Sequence, residues 1–233
     1  MIGVFFGCTT RSDERLKKNL EFFFKKAKIE YIPMGIKICC GAPLLLAGYK
    51  EEFIKQAKKV KKEVEQVDTI VTPCPHCFTM LSDEYRGYGI EIKSEILHIT
   101  QFVKKLVDEE MIKLKNNFDK KVVYHDPCYI GREGVGIYEE PREVLDRVVT
   151  QRVDFELNKI NNTCCGGGGL VRAFLPKLSV EIAKEKIENQ VKPLSVEVIT
   201  SACPFCYQNI YEGSEKTGIE VKDFLEIINK ALE

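Results

Sequence analysis

One cysteine pattern occurs twice along this chain. Each copy consists of a single cysteine, then a Cys-Cys-Gly sequence, then a Cys-Pro-x-Cys sequence. The first copy comprises Cys8, Cys39, Cys40, Cys74 and Cys77, and the second comprises Cys128, Cys164, Cys165, Cys203 and Cys206. Together the two copies use all ten cysteines of the chain. An internal repeat of this length predicts that the chain folds as two copies of one structural unit.

Short apolar runs in each copy predict β-strands. They cover 2–6, 68–73 and 89–93 in the first copy, and 121–125, 197–202 and 218–222 in the second. Apolar residues at helical spacing predict helices over 15–27, 53–67, 178–187 and 223–232. Strands that alternate with helices predict an α/β fold with two pseudo-symmetric lobes, each built on a small, mostly parallel sheet. The polar stretch 113–119 separates the expected lobes, 1–112 and 119–233.

The cysteines are expected to gather at one edge of each sheet. Cys74 and Cys203 follow a predicted strand directly, and Cys8 and Cys128 lie just past the ends of predicted strands. Ligands bind at the carboxyl ends of strands in an open α/β sheet, so the cysteine clusters should lie at the strand ends. Pro75 and Pro204 suit the first turn of a helix, whose N-terminus favours thiolate over thiol.

Charge and composition exclude several classes of protein. The 35 basic and 35 acidic residues cancel, which argues against a nucleic-acid partner, since that needs a basic face. No secretory signal is recognised at the N-terminus, and no apolar run reaches the roughly 18 residues of a membrane span. The expected compartment is therefore the reducing cytoplasm, without a direct membrane span, where thiols serve metal, cluster or redox chemistry.

Three kinds of cysteine chemistry compete to explain this spacing. Structural zinc needs four ligands, commonly two nearby C-x2-C pairs, whereas each copy here offers five thiols. A thioredoxin-like oxidoreductase would use Cys74-Pro75-His76-Cys77 and leave the other cysteines unexplained. An iron–sulfur cluster in each copy would use every cysteine, and a fifth thiolate indicates a cluster larger or more open than a cubane.

The doubled Cys-Cys-Gly pattern resembles the CCG cysteine-rich domain family, which includes the B-type and D-type subunits of heterodisulfide reductase. The resemblance covers essentially the whole chain. It implies two noncubane [4Fe-4S] clusters, one per repeat. By position, the five cysteines of each copy would hold the iron of one cluster.

The resemblance also implies an activity and partners. The expected enzyme is a disulfide reductase of the kind that cleaves the CoB–CoM heterodisulfide in methanogenesis, active as part of a complex on a small-molecule disulfide. The segment 124–142 resembles D-type or oxidase-type subunits, which carry ferredoxin-like clusters ahead of this region; this sequence has none. Electrons would therefore arrive through a small ferredoxin-like iron–sulfur subunit and a flavoprotein subunit.

Two alternatives remain open at this stage. One is an electron-transfer iron–sulfur subunit of a glycolate, lactate, fumarate or succinate oxidoreductase. The other is the thioredoxin-like thiol–disulfide oxidoreductase.

Residues next to the cysteines are expected to modulate the clusters. Gly41, Gly166 and Gly167 would let backbone N–H groups approach cluster sulfurs, with Gly41 contributing less because Ala42-Pro43 follows it. His76 and His125 are candidates for hydrogen bonding or proton delivery. His98 is expected on a helix, as a structural residue.

Overall fold

The computed structural model describes all residues, 1–233. The chain divides into two compact units, which we call the first unit (Met1–Phe102) and the second unit (Val103–Glu233). No helix is both long enough and apolar enough to cross a bilayer. The lobe limits read from the repeat, 1–112 and 119–233, stay a prediction.

The first unit contains a parallel sheet of four strands. They are β1 (Ile2–Phe5), β2 (Ile32–Met34), β3 (Thr69–Thr72) and β4 (Glu95–His98). Their order in the sheet is β2-β1-β3-β4, and every pair is parallel. Val4, Ile70 and Val71 are fully buried, as a parallel sheet covered by helices requires.

The second unit repeats this sheet strand for strand. It contains β5 (Phe118–Tyr124), β6 (Val149–Val153), β7 (Val198–Ser201) and β8 (Glu220–Asp223). Their order is β6-β5-β7-β8, again with every pair parallel. The predicted α/β fold with two similar lobes and parallel sheets is confirmed.

Eleven α-helices accompany the sheets. They are α1 (Gly7–Ser12), α2 (Glu14–Lys26), α3 (Ala42–Leu46), α4 (Lys50–Val64), α5 (Pro75–Thr79), α6 (Ile99–Asp108), α7 (Glu139–Asp146), α8 (Val171–Phe174), α9 (Pro176–Lys186), α10 (Pro204–Gly213) and α11 (Phe224–Ala231). One π-helical turn follows α5 (Met80–Glu84), and another follows α9 (Ile187–Val191).

Helix α2 illustrates how the sequence defines these elements. The Asp13 side chain accepts hydrogen bonds from two backbone N–H groups of the first turn, which caps the helix. Leu16, Leu20 and Phe23 lie on one face and are at most 3% exposed. Burial of this apolar stripe orients the helix against the core.

Two sequence-based expectations in the first unit are wrong. The alternating run 89–93 is not a strand, since β4 begins at Glu95. His98 ends that strand and lies one residue before α6, so it is not on a helix. Strands β2 and β6 were not predicted; β2 is only three residues long and contains Pro33, which weakens a strand signal.

Candidate metal centres

Three neighbouring strand ends supply the cysteines of the first unit. Cys8 lies in the first turn of α1, shortly after the end of β1. Cys74 is the N-cap of α5, just after β3, and Cys77 lies within that helix. Cys39 and Cys40 lie between β2 and α3. These strands are adjacent in the sheet. From β1 the chain crosses to β2 on one side and then to β3 on the other, and α/β sheets bind ligands at such a switch in strand order.

The five sulfur atoms of the first unit form a continuous series of contacts. The Cys8 and Cys39 sulfurs are 3.8 Å apart. Side-chain hydrogen bonding links Cys39 to Cys40, Cys40 to Cys77, and Cys77 to Cys74. No cysteine of the chain is in a disulfide. The first copy of the pattern is therefore one cluster of five thiols, which we call the first thiol cluster.

The second unit builds the same series from equivalent positions. Cys128 contacts Cys164, and Cys164 contacts Cys165. The Cys165 and Cys206 sulfurs are 3.2 Å apart, and Cys206 contacts Cys203. We call this group the second thiol cluster. The order of contacts matches that of the first thiol cluster residue by residue.

Backbone N–H groups point at sulfur in both clusters. The Gly41 N–H lies 3.5 Å from the Cys39 sulfur, and the Gly166 N–H lies 3.3 Å from the Cys164 sulfur. The Gly167 N–H is 3.4 Å from the Cys165 sulfur, and the Ala42 N–H contacts Cys40 in the same way. Each cysteine pair thus receives two backbone N–H donors. The expected weaker contribution of Gly41 to a bound cluster stays a prediction.

The glycine after each cysteine pair is in a left-handed conformation, with φ 86° at Gly41 and 84° at Gly166. A side-chain donor then holds the preceding carbonyl in each unit. The Tyr85 hydroxyl donates to the Cys40 carbonyl at 2.7 Å, and the Asn209 amide donates to the Cys165 carbonyl at 2.6 Å. The cysteine pairs are thus fixed by backbone geometry and by buried hydrogen bonds.

Contacts between the thiols lower the pKa values of some and raise those of others. In the first cluster, hydrogen bonding with Cys39 lowers the pKa of Cys40 to about 5, and hydrogen bonding with Cys40 raises the pKa of Cys39 to about 11. In the second, hydrogen bonding with Cys128 lowers the pKa of Cys164, while hydrogen bonding with Cys164 raises that of Cys165 to about 12. Each cluster therefore mixes thiolate with thiol, and binding of a cation would displace the remaining protons.

Burial is graded across each cluster. Cys40, Cys74 and Cys77 are buried in the first unit, as are Cys165, Cys203 and Cys206 in the second. Cys8, Cys39 and Cys128 are partly exposed, and Cys164 is exposed. Each cluster is therefore reached from solvent on the side of the single cysteine and the first cysteine of the pair. A thioredoxin-like reaction would require an accessible Cys-Pro-x-Cys thiol, and both such pairs are buried.

The second thiol cluster has His125 beside it, which the sequence singled out, and two further polar neighbours, Asn162 and Lys186, which it did not. His125 is 1% exposed, and a ring nitrogen lies within 4.8 Å of the sulfurs of Cys165 and Cys206. Its Nδ1 atom is 3.1 Å from the Asn162 amide, which also contacts the buried Lys186. Lys186 is far from any cysteine in sequence and lies on a helix, where a lysine usually indicates a solvated face.

The remaining histidines lie in the first unit. His76 is buried between Cys74 and Cys77, and its hydrogen bond helps to lower the pKa of Cys74, after the larger contribution of Cys77. His98 is fully buried, and its Nδ1 atom is 2.9 Å from the Thr100 hydroxyl. That contact is consistent with the structural role expected for His98.

The donor atoms of each cluster fit a soft metal centre. Thiolate is the ligand that selects iron–sulfur clusters, zinc and copper(I), and no carboxylate takes part in either series of contacts. Five converging thiols exceed the four that tetrahedral zinc requires.

Comparison with known proteins identifies the family. The cysteine-rich domain named CCG matches residues 2–82 and 122–211, which contain the two thiol clusters. The D-type subunit of dihydromethanophenazine:CoB–CoM heterodisulfide reductase from Methanosarcina acetivorans is 33% identical over 217 residues, covering 89% of this chain and 53% of that protein.

Two further relatives have different names. The B-type subunit of the CoM/CoB fumarate reductase from Methanothermobacter marburgensis is 31% identical over 86% of this chain and 40% of its own length. An uncharacterized iron-sulfur protein of Methanococcus maripaludis is 29% identical over 84% and 39%. The chain thus spans about half the length of these relatives or less. With both copies of the domain matched, the chain belongs to the CCG cysteine-rich domain family.

Proposed function

We propose that this protein is an iron–sulfur oxidoreductase subunit that reduces a small-molecule disulfide as part of a larger complex. The observation that carries the proposal is the convergence of five thiols, in the same order, in each unit. Soft thiolate ligands without carboxylates favour iron–sulfur chemistry. The name of the heterodisulfide reductase relative supports the choice of reaction.

Each thiol cluster would hold one iron–sulfur cluster. Cys8, Cys39, Cys40, Cys74 and Cys77 would bind the first, and Cys128, Cys164, Cys165, Cys203 and Cys206 the second. A fifth ligand is one more than a cubane needs, which favours a larger or more open cluster. We propose noncubane [4Fe-4S] clusters, as the resemblance to the heterodisulfide reductases implies. When bound, they would supply one-electron transfer to the substrate.

The reaction has a fixed balance of electrons and protons. One disulfide takes up two electrons and two protons, its S–S bond breaks, and two thiols are released. We assign the electrons to a flavoprotein partner and a small ferredoxin-like partner, in the reducing cytoplasm. Substrate would approach from the exposed side of a thiol cluster, where Cys164 is the most accessible ligand.

A second candidate is an electron-transfer subunit that passes electrons without binding a disulfide. The fumarate reductase relative favours it, since the same domain occurs there in an enzyme with a different name. The two candidates differ in one measurable property: a disulfide reductase must bind sulfur of its substrate or product at the centre, and a transfer subunit need not.

Anaerobic purification followed by iron, sulfide and zinc analysis tests the cofactor. We expect iron and sulfide in both units and no stoichiometric zinc; zinc in place of iron would refute the proposal. Electron paramagnetic resonance with and without added thiol then separates the two candidates. A thiol-dependent change supports disulfide reduction, and iron signals without such a change support electron transfer alone.

Variants of one cysteine in each unit test the ligand assignment. Cys39→Ser and Cys164→Ser occupy matching positions, so each should remove about half of the bound iron and leave the signals of the other unit. Full iron content in both variants would contradict the assignment.

A further inference from the structure

The two units differ at a buried position three residues before the first cysteine of each thiol cluster. His125 lies three residues before Cys128, and Phe5 lies three residues before Cys8. Both side chains are at most 1% exposed. The second unit therefore places an imidazole near its sulfurs where the first unit has a phenyl ring. An imidazole there could act either as a metal ligand or as a hydrogen-bond donor, and the two roles require different proton positions.

The orientation of the Asn162 amide is fixed by two neighbours. Its Oδ1 atom is 3.2 Å from Lys186 Nζ, and an ammonium group can only donate. Its Nδ2 atom is 2.9 Å from the Asp126 carbonyl, which can only accept. Both contacts require the same orientation of the amide, and neither depends on His125. The Nδ2 group is consequently the atom that faces His125 Nδ1, at 3.1 Å.

This orientation determines where His125 carries its proton. Because Asn162 Nδ2 donates, Nδ1 of His125 must accept and holds no hydrogen. The imidazole proton is then on Nε2, the ring nitrogen for which the structure gives no protein partner. A protonated Nε2 has no lone pair for a metal ion. It can donate a hydrogen bond to sulfur.

Lys186 is held firmly enough to impose this arrangement. It is 3% exposed, and its Nζ atom also lies 2.8 Å from the Thr163 hydroxyl and 3.1 Å from Gln190 Oε1. The helix at the matching place in the first unit, α4, has an alanine and a valine buried three residues apart, Ala57 and Val60. Helix α9 has Ala183 and Lys186 at that spacing. The first unit thus lacks both the cation and an imidazole at the place of His125. Its own buried imidazole, His76, lies elsewhere, between Cys74 and Cys77, where the second unit has Phe205.

We propose that Lys186 and Asn162 lock His125 as an Nε2–H donor to sulfur of the second cluster, and that this hydrogen bond raises the reduction potential of the second cluster. The inference rests on the proposed function, since it requires a cluster in each unit. Hydrogen bonds to cluster sulfurs stabilise the reduced, more negative state and raise its potential. His125, Asn162 and Lys186 are positioning residues in this scheme, not cluster ligands.

Redox titration of the anaerobic holoprotein, followed by electron paramagnetic resonance, tests the proposal. The wild-type protein should show two potentials. His125→Phe, which reproduces Phe5 of the first unit, should lower the potential of the second cluster, identified as the one that remains in Cys39→Ser, and leave that of the first unchanged. His125→Gln, whose amide N–H can replace Nε2–H, should restore part of the shift. His98→Phe serves as the control for loss of a buried imidazole and should leave the second potential in place.

A measurement on the wild-type protein guards against a variant that fails to assemble. With ¹⁵N-labelled histidine, pulsed electron paramagnetic resonance should detect only the weak nitrogen coupling of a hydrogen bond. The strong coupling of a directly bound nitrogen would overturn the proposal. An unchanged potential of the second cluster in His125→Phe, with both clusters present, would also overturn it. Absence of iron from the anaerobically purified protein would instead overturn the proposed function, and this inference with it.

Discussion

At the scale of single residues, a buried ion pair supports the second thiol cluster. Arg142 Nη2 contacts Asp126 Oδ2 at 2.8 Å, and the two side chains are 4% and 2% exposed. Asp126 Oδ2 also accepts from the backbone N–H of Lys159 at 2.9 Å, which ties the loop before Cys164 to the end of β5. The pair therefore connects a strand end to the segment that supplies the cysteine pair.

Replacement of Arg142 by methionine should be strongly destabilising. The change leaves the Asp126 carboxylate buried without its cation, and breaking a buried pair in this way costs about 3–5 kcal/mol. Chemical denaturation of the holoprotein would measure the loss in free energy of unfolding. Asp126→Asn combined with Arg142→Met should recover part of it, because the unpaired charge is then absent.

Arg147→Met is the matched control for this change. Arg147 is 52% exposed and lies 3.6 Å from Asp108, so its loss should cost less than about 1 kcal/mol. Equal losses in the two arginine variants would show that burial of the Arg142 pair is not what stabilises the site.

The buried Lys186 makes the free energy of unfolding depend on pH. Burial lowers its pKa to about 8, from an ordinary value of 10.5. Between these values the unfolded chain binds a proton that the folded protein does not, so the contribution of Lys186 to stability rises with pH across this window. The gain is about 3 kcal/mol.

The comparison with Lys186→Met isolates this contribution from the titration of cysteines. The difference in free energy of unfolding, wild type minus variant, should increase from pH 8 to pH 10.5. Lys184→Met removes an exposed lysine from the same helix and should give a difference that stays constant over that range. A constant difference for Lys186→Met as well would contradict the prediction.

The sequence identified the cysteines and residues next to them in the chain, but not the residues that reach them from distant segments. All ten stand in a pattern that repeats, and repetition is visible without a structure. Asn162, Lys186 and Asn209 have no such signal, because they reach the second thiol cluster through folding of distant segments. A lysine on a helix predicts solvent exposure, and only tertiary packing reverses that expectation.

At the scale of elements, the turn after each cysteine pair depends on glycine. Gly166 has φ 84°, and a Cβ atom there would lie 2.8 Å from Ile182 Cβ and 2.9 Å from the Ser179 carbonyl. Gly166→Ala should therefore combine backbone strain with a clash against α9. We expect a loss of about 3 kcal/mol in stability, above the roughly 1–2 kcal/mol of a left-handed residue alone.

Gly48→Ala is the matched control for the turn. Gly48 has the same φ of 84°, but a Cβ atom there would meet nothing within 4 Å. Its cost should stay near that of the backbone strain alone. Iron analysis adds a second measurement: Gly166→Ala should lose iron from the second unit, and Gly48→Ala should retain it in both. Similar iron contents in the two variants would contradict the role of the Gly166 turn.

Strand β4, which the sequence placed too early in the chain, shows a limit of inference from an internal repeat. Gly89-Ile90-Glu91-Ile92-Lys93 and Gly218-Ile219-Glu220-Val221-Lys222 are nearly the same, and both predict a strand. Only the second enters one, since β8 begins at Glu220, whereas Glu95 is its structural counterpart in β4. Partner register in the sheet, which single-sequence patterns do not contain, decides where the strand lies.

At the scale of the whole molecule, the duplicated fold followed from a few observations. Apolar runs before cysteines predicted the central strands β1, β3, β5 and β7, and helices between them required parallel pairing. The outer strands β2 and β6 are harder to predict, because both carry exposed residues and β2 contains a proline. The outer strands β2 and β6, unlike the central strands, were therefore seen only in the structure.

The graded burial of the two thiol clusters makes a prediction for the whole iron-free protein. Four cysteines are accessible to some degree, namely Cys8, Cys39, Cys128 and Cys164, and six are buried. A thiol reagent should therefore modify up to four thiols in the folded protein and all ten after denaturation. Cys164 should react first, since it is exposed and hydrogen bonding with Cys128 lowers its pKa.

Mass spectrometry of peptides from a time course of alkylation would give the order of reaction. The six buried thiols provide an internal control, because they should become reactive only as the protein unfolds. First modification of Cys74 or Cys203 would mean that a Cys-Pro-x-Cys pair is accessible, and it would favour a thioredoxin-like reaction. First modification of Cys164 is expected instead, because a centre that takes its substrate from solvent must present its outermost ligands there while the buried thiolates hold the metal.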